Sequence, residues 1–212
     1  MIKFIFIIFL IGNRAGAVGG AVGNGGGFSI CKDGKYYAFD YLITMKSKYL
    51  IAEQNSDLLQ HLKNIEKEFL RLKDPLAPDF SLFIQSLFKQ IPKAKYQWFE
   101  RKSLPVLFDP DLELLLPSHC KKRIQAVIFF PPHPLQPYSS YGYVGPLIQQ
   151  VLQQRGGALQ VSFLLIHEWL WNFFPRQSFQ NLAWFNRLLN SDALKTLDHA
   201  QYIKIRSQLL KP

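Results

Sequence analysis

Residues Val161–Phe174 read VSFLLIHEWLWNFF, an apolar run broken only by Ser162, the dipeptide His167-Glu168 and Asn172. A helix that is apolar on every side is one that other elements must surround. The run therefore calls for a central helix with the remaining chain wrapped about it. Glu168 is the only Asp or Glu between Leu114 and Ser191. An ionised carboxylate in such a setting needs a partner or a task, because burying it alone costs too much.

Two readings of the dipeptide follow. In the first, His167 and Glu168 form a buried structural polar pair, with Arg187 on the next helix as counter-ion. A bidentate arginine–carboxylate contact would then hold the two helices in register. In the second, His167 and Glu168 are catalytic candidates. An apolar helix carrying His-Glu resembles the zincin metallopeptidases, whose H-E-x-x-H sets two zinc ligands one helical turn apart and supplies the general base. The resemblance would make His167 a metal ligand, Glu168 the base and zinc the cofactor. Residues i and i+4 share a helix face, so the second ligand belongs at position 171. That position is Trp171, which cannot ligate zinc, and His61, His119, His133 and His199 fall at no familiar ligand spacing. The structural pair is the preferred reading, with no cofactor expected.

The N-terminus carries an address. Met1-Ile2-Lys3 precedes the apolar stretch Phe4–Ile11, then Gly12 and the small triplet Ala15-Gly16-Ala17. Charged start, short apolar core and A-x-A site describe a secretory signal peptide spanning residues 1–17. The alternative is a buried N-terminal strand or anchor. The core is far shorter than the roughly 20 residues that span a bilayer, and no transmembrane segment is expected after signal removal. Loss of Lys3 and Arg14 with the signal lowers the formal charge from +10 to +8 over the remaining 195 residues. That length supports one domain with a sizeable core, and an apolar fraction of 48% excludes disorder.

The basic balance favours anionic envelope components as partners rather than specific nucleic acid. Positive residues are scattered, with Lys121-Lys122-Arg123 the only tight cluster, as on an ordinary solvated surface. Cys31 and Cys120 are either a disulfide or two buried thiols, and export favours the former. A bridge across 89 positions stabilises by about 4–5 kcal/mol on the chain-entropy argument. No C-x-x-C, no G-x-S-x-G and no phosphate-binding glycine loop followed by Lys-Ser/Thr is present.

Punctuation and periodicity divide the rest. Val18–Gly27 is a flexible glycine-rich lead. Phe28–Cys31 and Lys35–Tyr41 flank Asp33-Gly34 as a hairpin with a tight primed turn. Leu58, Leu62, Ile65, Phe69 and Leu72 trace one stripe of a helix, and Phe80, Phe83, Ile84, Leu87, Phe88 and Ile91 trace a second that starts at Pro78-Asp79. Tyr96–Glu100, Val106–Phe108 and Arg123–Phe130 are short strand-prone runs. Pro131–Tyr143 reads as extended chain over the surface, a ligand-facing loop or a long connection. Leu159–Phe174, Ser178–Asn190 and Asp198–Leu210 are helices with plausible N-caps. Trp169, Trp171, Phe173, Phe174 and Trp184 could line a sugar or lipid groove, but at helical spacing they belong to a core. The expected fold is α+β, mostly helical, a single domain over residues 28–212 with a small antiparallel sheet.

Three further elements carry a resemblance: the lead G-N-G-G-G-F-S-I-C (Gly23–Cys31), the Leu116-Pro117-Ser118-His119-Cys120 element followed by Ile124-Gln125-Ala126-Val127, and Leu165–Trp171 (LIHEWLW). Together with Asn186-Arg187 and Asn190-Ser191 they resemble a group of exported Gram-negative bacterial proteins to which no activity is assigned. The resemblance implies export and a Cys31–Cys120 bridge, and nothing about chemistry. A non-catalytic envelope or secreted binding protein, periplasmic or released, is the expectation. A metal-dependent hydrolase with an unusual ligand set, and a structural or assembly protein of the envelope, are the alternatives.

Overall fold

The computed structural model describes residues 26–46, 51, 57–89, 95–104, 114–120, 122–130, 132 and 138–210. The expected signal peptide, most of the glycine-rich lead and the strand expected at 106–108 lie outside the described residues. In chain order the elements are β1 (Gly27–Ile30), β2 (Tyr36–Ala38), α1 (Phe39–Ile43), α2 (Leu58–Arg71), α3 (Ala77–Phe88), β3 (Tyr96–Glu100), β4 (Lys122–Gln125), β5 (Val127–Phe130), β6 (Ser139–Tyr143), α4 (Gly145–Gln153), α5 (Gly157–Phe173), α6 (Phe179–Leu189), α7 (Ala193–Thr196) and α8 (His199–Leu209). The fold is α+β.

Helix α5 is the axis. Every residue from Gly157 to Trp171 is buried, as a helix apolar all round requires. It packs against α1, α2, α4, α6, β2 and β5. Its start is set by backbone geometry: Gly156 lies at φ 79°, where only glycine is at ease, and a methyl on Gly157 would strike the Val151 carbonyl of α4. Helix α2 turns Leu62, Ile65 and Phe69 inward, with Asp57 capping its first turn through the Leu59 N–H at 2.8 Å. At its far end the Arg71 guanidinium donates to the carbonyls of Leu194 (2.8 Å) and Leu197 (2.9 Å), tying α2 to α7. Asp79 in the first turn of α3 accepts from the Trp169 indole at 2.9 Å, from the Tyr96 hydroxyl and from Lys95. One carboxylate thus joins α3, α5 and the start of β3. Helix α8 opens with a capping box between Asp198 and Gln201, and its Tyr202 hydroxyl donates to Asp74 at 2.6 Å.

There are two three-stranded sheets among the described residues, ordered β2-β1-β4 and β3-β6-β5. The first is antiparallel; the second is mixed, with β3 parallel and β5 antiparallel to β6. The run expected as one strand over Arg123–Phe130 serves both. It breaks at Ala126, where the N–H groups of Ala126 and Val127 both reach the Gly26 carbonyl (3.2 and 3.1 Å), and passes from one sheet to the other. The inward face of the second sheet stacks Trp98 on Tyr141 with ring centroids 4.5 Å apart.

Four expectations change. The Asp33-Gly34 turn is a three-residue loop, closed by Cys31 and Lys35, with positive φ at Gly34 alone; a primed type I turn needs positive φ at both central residues. The strand read over Lys35–Tyr41 ends at Ala38, and helix α1 follows because Phe39 and Leu42, three apart, both find buried sites. Residues 139–143, read as surface chain, form the central strand of the second sheet, with Tyr141 fully buried. Small residues at Ser139, Ser140 and Gly142 hide that strand from propensity, and pairing on both edges decides it. Helix α4 lies where no helix was expected; Leu147 and Val151, four apart, hold it to the core. No helix among the described residues is long and apolar enough to cross a membrane.

Candidate functional site

His167 and Glu168 sit at the middle of α5, and consecutive helical residues point about 100° apart, so they serve different neighbours. His167 is 3% exposed and Glu168 1%. The His167 ring presents Nδ1 to Asp40 Oδ2 at 3.0 Å. Its faces are covered by Trp171, one turn on, with ring centroids 6.0 Å apart and planes 14° apart, and by Phe179 of α6 at 4.8 Å. Glu168 turns the other way, accepting from the backbone N–H groups of Gly26 and Phe129. It therefore pins the chain leading into β1 and strand β5 to the central helix. A Cβ on Gly26 would stand 2.5 Å from Leu164 Cδ1 and 2.9 Å from Glu168 Oε1, so the close approach requires glycine.

Asp40 extends the cluster into a buried line of polar side chains. Its Oδ2 also accepts from Asn186 Nδ2 at 2.6 Å, and the same amide donates to the Phe163 carbonyl at 2.7 Å. Asn190 donates to Asn186 Oδ1 at 2.8 Å and, through its own Oδ1, meets the Ser162 hydroxyl at 2.8 Å and His61 Nε2 at 2.9 Å. The line runs from α2 through the end of α6 to α1 and α5. Asp40 Oδ1 has no hydrogen-bond partner among the described residues. Asp40 and His167 border a small, partly open cavity of about 10 Å³, lined also by Gly26, Gly27, Phe163 and Phe179. That volume holds one water molecule and no substrate.

The electrostatics follow from burial and company. Burial favours the neutral form of His167, but the Asp40 carboxylate, by charge and hydrogen bond, and the charge of Glu168 outweigh it and move the imidazole upward. Burial pushes Glu168 up to about 7, against the pull of His167 and of the two backbone N–H groups, with Asp40 adding to the rise. An Asp–His contact is the arrangement that orients an imidazole as general base. Here the ring is enclosed, and the hydroxyl on the same helix, Ser162, is bound to Asn190.

Arg187 is placed elsewhere than the expected pairing. Its guanidinium lies over the Tyr41 ring, 5.6 Å from the centroid, while Glu168 takes backbone partners and His167 takes Asp40. Trp171 does share the face of His167, as the four-residue spacing requires, and it stacks there as an aromatic neighbour. Cys31 and Cys120 are joined in a disulfide, with the Ser29 hydroxyl donating to the Cys120 carbonyl at 2.6 Å beside it. Among the described residues the one trio of His, Cys and acidic side chains close enough to share a metal is Cys31, His119 and Cys120. Its sulfurs are bonded to each other, which removes the thiolates a metal needs. Among the described residues His167 belongs to no such trio.

Asp40 and His61 were missed as partners in the sequence. The signal for Asp40 was the one that exposed Glu168: a single carboxylate inside an aromatic run, Tyr36–Tyr41 (YYAFDY). For His61 there was none, since it stands on the charged side of an amphipathic stripe. No protein-family model, curated protein or solved structure matches the chain.

Proposed function

We propose that this chain is an exported, non-catalytic binding protein of the cell envelope or extracellular space, in which His167 and Glu168 are part of the folded core. One observation carries the non-catalytic half: both side chains are buried and hydrogen-bonded to the protein itself, His167 to Asp40 and Glu168 to backbone. Export is supported by the N-terminal order of charge, apolar core and small residues, and by a disulfide, which persists in oxidising compartments. The positive balance of the chain supports an anionic partner.

Elemental analysis of the mature protein, purified from the periplasm without chelator, tests the reading. The expected result is no stoichiometric zinc, with His167→Ala lowering Tm and leaving metal content unchanged. Near-stoichiometric zinc that is lost in His167→Ala overturns it in favour of a metal-dependent hydrolase. Fractionation of cells producing the full chain tests export: protein retained in the cytoplasm with residues 1–17 intact would remove that half.

A further inference from the structure

A sheet face turned to water alternates with its buried face and reads polar. The second sheet breaks that rule. Its inward positions are Tyr96 and Trp98 on β3, Tyr141 on β6, and Val127 and Phe129 on β5, which pack into the core. By register the outward rows are Gln97–Ser140–Phe130 and Phe99–Gly142–Ile128. Phe99 and Phe130 are each 41% exposed. Gly142 at the centre is roofed by its neighbours: a Cβ there would lie 3.2 Å from Ile128, 3.3 Å from Phe130 and 3.5 Å from the Arg101 stem. Ser140, between Gln97 and Phe130, is itself only 2% exposed, so what this face offers to water is its two edges, each with one aromatic ring standing out.

Charge identifies what this face meets. Arg101 continues the outward alternation from Gln97 and Phe99, and it and Lys102 are exposed at the end of β3. Glu100, the acid next to them in sequence, points to the other side, where its carboxyl carbon would stand 2.9 Å from a Cβ on Gly145 at the start of α4. A helix N-terminus attracts a carboxylate, so Glu100 is drawn away from the two cations. Aromatic rings flanked by cations of one sign suit the boundary between headgroups and acyl chains of an anionic bilayer. The exposed part of the two rings is on the order of 150 Å², far below the roughly 800 Å² per partner of a stable protein interface, but enough for shallow insertion.

We propose that the outward face of the β3-β6-β5 sheet docks on anionic lipid, with Phe99 and Phe130 entering the interface and Arg101 and Lys102 meeting headgroup phosphates. The inference deepens the reading of the chain as an exported binding protein and rests on it. The two fail separately: a metal-free chain that ignores lipid sinks this inference alone, and a zinc-loaded chain that binds lipid sinks the other.

Sedimentation of the mature chain with phosphatidylglycerol vesicles and with phosphatidylcholine vesicles tests it. The expected result is at least tenfold preference for phosphatidylglycerol, weakened by salt. Phe99→Ser with Phe130→Ser is expected to reduce binding at least tenfold, and Arg101→Glu to reduce it severalfold. Because the two rings also cover Gly142, Phe130→Trp gives a second readout without loss of the ring: its fluorescence shifts to the blue on phosphatidylglycerol and not on phosphatidylcholine. No sedimentation with phosphatidylglycerol, binding unchanged in the folded double variant, or an unshifted Trp spectrum would overturn the proposal. Preference for single-stranded nucleic acid or for a second copy of the chain over vesicles would do the same.

Discussion

Asp40 and His167 meet at 3.0 Å, both buried, and Glu168 lies next to His167 on the same helix. The titration of His167 and Glu168 reports on the fold. Glu168 has its folded-state value raised from an ordinary 4.5 to about 7, so the folded protein holds a proton that the unfolded chain has released. The stability this confers is full below 4.5 and is lost as pH rises through about 7. The His167 value is also raised, from 6.5, and its contribution is likewise lost as pH rises through the folded value. Both slopes have one sign. Tm measured across this window should fall as pH increases, and Glu168→Gln should flatten the fall; a Tm that climbs through neutrality would contradict the assignment. Asp40→Ala and His167→Ala should each cost about 3–5 kcal/mol, and the double variant less than their sum, because removing one partner strands the other. Equal additivity in urea unfolding would separate the two residues. At this scale the sequence showed that His167 and Glu168 were buried and costly, since each interrupts an apolar run. It could not show their partners, because Asp40 lies 127 positions away and backbone N–H groups carry no side-chain signature. Arg187 is a cation of the following helix, and its guanidinium lies over the Tyr41 ring.

Elements whose boundaries rest on local chemistry were legible. Ser178 and Asp198 cap α6 and α8 as expected, and the stripe of α2 faces the core. Elements that rest on distant pairing were not. Strand β6 has two serines and a glycine, and exists because β3 and β5 flank it; the break at Ala126 exists because Gly26 reaches both sheets. Two glycines mark where elements touch most closely. Gly26→Ala would press a methyl against Leu164 and Glu168, and is expected to cost about 1–3 kcal/mol with loss of amide protection at Gly27–Ile30. Gly157→Ala meets backbone rather than a flexible side-chain end, so its loss of Tm should be the larger of the two. If Gly26→Ala melts with the parent, the contact between Glu168 and the start of β1 is not a tight one.

For the whole molecule, one core cluster spans α2 to α8 and the second sheet, and a smaller one gathers Leu42, Tyr37, Tyr41 and Leu116 around the disulfide. The bridge fastens the end of β1 to the chain just before β4, which pair with each other. Cys31→Ser with Cys120→Ser should lower stability by up to about 4–5 kcal/mol, read as a shift in the urea midpoint. An unchanged midpoint would contradict a stabilising role for the bridge. Composition and length made the α+β, mostly helical architecture legible, because a run as apolar as Val161–Phe174 needs helices and sheet on all sides. The division into two sheets was not, since a single stretch of chain serves both.

On the proposed reading Glu168 belongs to the folded core. Equilibrium urea unfolding of Glu168→Gln beside the parent, with both folded by circular dichroism, asks this directly. Replacing a buried carboxyl that accepts from backbone N–H groups by an amide with one acceptor oxygen should cost about 1–3 kcal/mol at an unchanged m-value. A midpoint equal to that of the parent would contradict it and return the buried His-Glu pair to the search for chemistry.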